Sequence, residues 1–238
     1  MRTLASLLVV FVLSVGAAFA GFDEDVAASG QLFAQKRYVE AEAASLAILS
    51  TYTSADATVD QFMQVRCGVG HAIRGQRRWA DAVVQFRKAL TDYPNADVNF
   101  LIHAQRYVGL CSRNNKKLAD ARVAYQAALD NYPTASNKER GRAHAGLVGV
   151  LVRERQWEAA TRLAVTVATT YGFVDLEFQT TLFDTVNPVY LTKAEFEYYL
   201  ERLCVIVPAT DGTAPGTTDN TEFWGRFSSQ LDAMNMGE

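Results

Sequence analysis

The chain has 238 residues, of which 49% are hydrophobic and 21% charged, and 23 Lys+Arg against 26 Asp+Glu give a net charge of −3. That is the composition of a folded protein of one or two domains, not of a disordered or collagen-like chain, and its slight acidity provides no chain-wide cationic field for nucleic acid or anionic lipid. Three Cys are too few for a disulfide-dense scaffold, and three His leave little material for a metal centre.

In chain order, Arg2, the apolar run Leu4 to Val15 and the small-x-small triplet Ala18-Phe19-Ala20 read as a secretory signal over residues 1–20. An uncleaved anchor helix is the alternative, but the run falls short of the ~20 apolar residues a membrane span prefers. Arg2 leaves with a cleaved signal, so the remaining chain is slightly more acidic, and no later segment is apolar enough to span a membrane. The reading places the protein in a secreted compartment, periplasmic if the source is bacterial.

From Gly21 the chain repeats itself. Val69-Gly70, Trp79, Ala82, Phe86, Ala89 and Pro94 recur 39 residues later as Val108-Gly109, Leu118, Ala121, Tyr125, Ala128 and Pro133. Weaker matches extend forward to Leu147, Trp157, Ala160 and Val167, and backward to Tyr38 and Ala41 at a shift of 41. Each unit reads as two antiparallel helices. Phe62, Val65, Val69 and Ala72 keep helical spacing up to Gly75, where a turn is expected; Trp79, Ala82, Val83, Phe86, Ala89 and Leu90 form the next stripe, which ends before Pro94. One hairpin cannot bury both faces, so the units must stack. A degenerate fifth unit follows over Glu177 to Val186 and Ala194 to Val207, the second helix opening with the capping box Thr192-x-x-Glu195. The aromatic run Phe173 to Tyr199 suits a cap on the open end of such a stack, and an interface is the alternative. Residues 208–220 have linker composition, and in 221–238 Phe223, Trp224, Phe227 and Leu231 make a short amphipathic helix that either folds back or docks on a partner.

The pattern resembles the tetratricopeptide repeat: Val69-Gly70 and Val108-Gly109 stand for its Leu-Gly, Ala82-x3-Phe86 and Ala121-x3-Tyr125 for its Ala-x3-Phe, and Pro94 and Pro133 for its closing Pro. The early Trp is replaced by Arg66 and Gln105, and the Tyr by Ile73 and Ser112. The resemblance implies an all-α, right-handed superhelical solenoid of four to five helix pairs over residues 21–207. The 39-residue period exceeds the family's ~34, and the surplus lies upstream of Gln105 and at the capping box Ser136-x-x-Glu139, so each first helix is predicted to be about one turn longer than usual. Long repeats of this kind are similar to those of bacterial envelope proteins, including Tol-Pal accessory proteins and outer-membrane assembly lipoproteins.

In that family the first helices line a concave groove that holds a peptide or a partner's helix. Carried onto this chain at helical spacing through Gly70, the groove positions are Asp23, Val26, Gly30 and Phe33; Gln64, Cys67, His71 and Arg74; His103, Arg106, Leu110 and Arg113; and Arg142, Ala145, Gly149 and Val152, with Arg153 adjacent. Five arginines thus converge on one surface of an acidic protein, which suits an acidic peptide or a C-terminal carboxylate; the alternative is that they are solvated or paired with acids along their own helices. Cys67, His71 and His103 suggest a metal site only weakly, because a structural zinc needs four convergent ligands and no close Cys pair is present. Cys67 and Cys111 fall on different levels of the stack, so no disulfide is expected, and Cys204 reads as core. No phosphate loop, His-Glu-x-x-His or Gly-x-Ser-x-Gly motif appears, so no catalytic residue, metal or cofactor is assigned. The resulting expectation is a partner-binding scaffold. The alternatives are the regulatory subunit of an envelope enzyme, a cryptic enzyme with its site in the C-terminal region, or an oligomer built through the end units.

Overall fold

The computed structural model describes residues 21–171. The predicted signal segment 1–20, the aromatic region from Phe173 with the predicted fifth unit, Cys204, the predicted linker 208–220 and the helix predicted in 221–238 lie outside the described residues.

Eight helices follow one another: α1 Phe22–Ala34, α2 Tyr38–Thr51, α3 Val59–Gly75, α4 Trp79–Asp92, α5 Val98–Asn114, α6 Leu118–Asn131, α7 Asn137–Arg153 and α8 Trp157–Tyr171. The described residues contain no strand. Each helix packs on the next, and the first helices of successive pairs also touch, α1 with α3, α3 with α5 and α5 with α7. The first helices therefore form one layer and the second helices lie against it. The main core lies where α3, α4 and α5 meet: Met63, Val69, Ile73, Ala82, Phe86, Ala89, Ala104, Val108 and Cys111 are buried together. The α3, α5 and α7 helices have 17 residues each, while α4 and α6 have 14. The three-residue difference is about one turn; α1, with 13 residues against 14 in α2, lacks the lengthening expected of each first helix.

Helix starts are set by side chains. Thr58 and Gln61 form a complete capping box on α3, Asp97 accepts from the Asn99 N–H on α5, and Ser136 accepts from the Glu139 N–H on α7. Only this half of the capping box expected at Ser136 is present, because the Glu139 carboxylate is turned toward basic side chains described below.

The turn within each pair is the same four times. Lys36, Arg77, Lys116 and Arg155 are left-handed, with φ of 60 to 63°. The N–H after each closes a six-to-one bond: Arg37 to Leu32 O, Arg78 to Ile73 O, Lys117 to Ser112 O and Gln156 to Leu151 O, at 2.9 to 3.3 Å. Gly75 was expected to supply the turn; instead it is the last residue of α3. A Cβ there would lie 2.5 Å from the Tyr38 ring, so glycine is required for that approach.

Candidate functional site

The first-helix layer brings several of the groove residues together around Tyr107, on α5. His71 from α3 packs edge-on against this ring at 4.4 Å between centroids, and His103 lies 4.7 Å away one turn earlier on α5. Phe86 from α4 stacks on its other side at 5.2 Å. The Arg106 and Arg74 guanidinium carbons sit 4.5 and 5.3 Å from its centroid, within cation–π range. Tyr107 was not among the sequence-derived groove residues, because it lies off the chosen helical face. Its signal in the sequence is local: at the equivalent positions the neighbouring units carry Gly68 and Gly146.

Nε2 of His71 and Nε2 of His103 are 3.1 Å apart. Nδ1 of His103 faces an Arg106 Nη2 at 3.5 Å, and because a guanidinium only donates, this nitrogen accepts. His103 then carries its proton on Nε2 and donates it to His71. Burial is the largest cause holding both rings below the usual 6.5, His71 at about 3 with help from His103, Arg74 and Arg106, and His103 at about 4 with help chiefly from Arg106. Both imidazoles are neutral at physiological pH, so the positive charge of this surface comes from arginine.

Arginine supplies it unevenly. Glu139 on α7 is the shared carboxylate: Arg142 Nη1 bonds it at 2.8 Å, Arg106 Nε lies at 3.5 Å, and His103 Nδ1 at 3.8 Å. Arg142 is therefore paired along its own helix, whereas Arg106 is paired across helices. Arg74, Arg113 and Arg153 have no carboxylate within ion-pair range among the described residues. The Arg113 guanidinium lies against Gly149, where a Cβ would come within 2.2 Å of Nη1, and Arg153 donates to the Arg113 carbonyl at 3.2 Å. The Nε atoms of Arg74, Arg106 and Arg113 are buried without a hydrogen-bond partner. Asp60, the one acid on α3, accepts from the Asp97 N–H at 2.7 Å and so supports the start of the neighbouring helix.

One assigned groove residue, Cys67, needs correction. Cys67 is 6% exposed and belongs to the core with Met63 and Val69; α3 is covered on both flanks by α2, α4 and α5, so its open face is narrower than four positions at helical spacing. Leu110 packs against the cluster of Ala121, Tyr125 and Val150. Gln64 is exposed. Cys67 and Cys111 are free thiols, and burial pushes both up to about 12, which leaves them poor nucleophiles near neutral pH. Among the described residues no group of three or more His, Cys, Asp or Glu is arranged to hold a metal ion, and no helix is long and apolar enough to cross a membrane.

A second feature opens on the same layer. A cavity of about 260 Å³ lies between α1, α2 and α3, walled by Val26, Phe33, Ile48, Val65 and His71, with Ser29 and Ser45 inside it. The two serine hydroxyls are 2.7 Å apart, and Ser29 Oγ lies 3.4 Å from the Ala41 carbonyl.

No protein-family model matches the chain, and a search of curated proteins finds no match.

Proposed function

We propose that the protein is a secreted partner-binding scaffold built as a right-handed tetratricopeptide-like solenoid, periplasmic if its source is bacterial, whose first-helix layer binds an acidic peptide segment or a C-terminal carboxylate. It binds rather than catalyses. The repeat spacing, the four identical turns and the order of helix contacts support the solenoid, and residues 1–20 support secretion. The observation that carries the binding reading is the charge excess on α5 and its neighbours: Arg106 and Arg142 share the Glu139 carboxylate, while Arg74, Arg113 and Arg153 have no carboxylate within ion-pair range among the described residues. Guanidinium groups held by Tyr107 and by neighbouring backbone have already lost much of their side-chain freedom, so a ligand carboxylate meets preorganised donors.

The test is fluorescence anisotropy with a labelled acidic peptide and a neutral peptide of scrambled sequence. The acidic peptide is expected to bind more tightly and to weaken as salt rises from about 50 to 300 mM, since charge pairing on an open surface is screened. Arg74→Gln with Arg113→Gln is expected to weaken it about tenfold with helicity unchanged by circular dichroism. Equal, salt-insensitive affinity for both peptides would overturn the proposal.

A further inference from the structure

The three places where one hairpin meets the next are filled differently. Between α3/α4 and α5, Phe86 packs on Gly70, where a Cβ would lie 2.8 Å from the ring, and stacks on Tyr107. Between α5/α6 and α7, Tyr125 fills the space between Gly109 and Gly146, whose Cβ positions would lie 3.0 and 2.1 Å from its ring. Each of these junctions contains an aromatic on the second helix and a glycine on the first that makes room for it. At the first junction, moving back by the 41-residue shift, Ser45 stands for Phe86, Ser29 for Gly70 and Gly30 for His71; Gly68 stands where Tyr107 stands one unit later. Three positions that carry a ring in the following unit, those of Phe86, His71 and Tyr107, carry small residues here, and the cavity of about 260 Å³ lies among them.

The cavity is suited to an external ring. Its walls at Val26, Phe33, Ile48 and Val65 are apolar, and its volume of about 260 Å³ exceeds the roughly 150 Å³ of an engineered apolar cavity that takes benzene. Its mouth is open at Gly30, where an added Cβ would meet nothing within 4 Å. His71 forms its wall and also contacts His103 and Tyr107, which joins the cavity to the basic cluster without a gap. Arg74 lies one turn beyond His71 on the same helix. We infer that this cavity is the anchor pocket of the groove and takes an aromatic side chain of the bound peptide, with carboxylates a few residues away lying on Arg74 and Arg106. The inference rests on the acidic-peptide reading above and adds its specificity: the ligand supplies the ring that the first repeat lacks.

The probe is a fluorescein-labelled decapeptide with one Phe among four Glu, compared with its Phe→Ala version on the full-length protein. The Phe peptide should bind at least tenfold more tightly. The double variant Ser29→Gly/Ser45→Phe rebuilds the Gly70/Phe86 arrangement; it should melt at higher temperature than the parent and bind both peptides at the weaker affinity. Equal binding of both peptides by the parent protein overturns the pocket while leaving the basic groove standing. If neither binds, the groove reading fails, and the pocket is decided by ¹⁹F NMR with N-acetyl-4-fluorophenylalanine amide. Saturable broadening that the double variant abolishes keeps it, and no broadening overturns it. If the full-length protein binds the Phe peptide only after Phe223→Ala/Trp224→Ala, the occupant is the chain's own C-terminal segment and the inference is overturned.

Discussion

Gly146 sits over the ring of Tyr125, which is 1% exposed and backed by Gly109. A Cβ at Gly146 would lie 2.1 Å from Cε1 of that ring, and the ring has no free side to move into. Gly146→Ala is therefore expected to destabilise by about 1 to 3 kcal/mol through overpacking, despite alanine's higher helix propensity. Gly30→Ala, where nothing is in reach, should stabilise by roughly 0.5 to 1 kcal/mol from that propensity alone. Urea denaturation of the two variants checks both signs. From the sequence, Gly70 and Gly109 are recognisable as small residues of a repeat; that Gly146 accommodates the preceding unit's Tyr125 is not, because the two residues belong to different hairpins and only their packing relates them.

Among the elements, the turns carry the clearest regularity. A non-glycine residue in the left-handed region costs about 1 to 2 kcal/mol, and here Lys36, Arg77, Lys116 and Arg155 all occupy it. All four are exposed and each six-to-one bond is made by the backbone, so the side chain adds nothing to the turn that glycine would lose. Lys116→Gly should stabilise the protein by about 0.5 to 1 kcal/mol, read as a higher urea midpoint at unchanged slope; destabilisation would mean that the Lys116 side chain holds the turn. The helix pairs, their order and their approximate ends were legible from periodicity, Pro94 and Pro133. The turn residue was not, since a basic residue in this position gives no conformational signal. The capping box at Ser136 was half legible: its hydroxyl caps as expected, but Glu139 is drawn away by Arg106 and Arg142, one of which belongs to another helix.

Across the molecule, the His71–His103 pair links α3 to α5 and makes stability depend on pH. Both rings titrate lower in the folded state, at about 3 and about 4, than the usual 6.5. As pH falls below 6.5 the unfolded chain takes up protons first, so stability present above 6.5 is lost progressively toward the folded values. Arg74, Arg106 and Arg142 face the pair and oppose its protonation, while Glu139 favours it at His103. The melting temperature should fall between pH 6.5 and 5, above most of the carboxylate range, and fall less in His71→Asn/His103→Asn; parallel curves for the two proteins would remove the pair as the cause.

The sequence by itself determined the helical class, the 39-residue period and the hairpin division, because burying one face of each helix and stopping at proline are requirements local to the chain. It also placed arginines on the first helices. Only the tertiary structure decided which of them meet a carboxylate among the described residues, that Cys67 is core, that Tyr107 organises the basic cluster, and that Ser29, Ser45 and Gly68 leave a cavity. These depend on side chains from different repeats meeting across an interface, and a periodic pattern fixes where each residue lies on its own helix without fixing what it meets on the next.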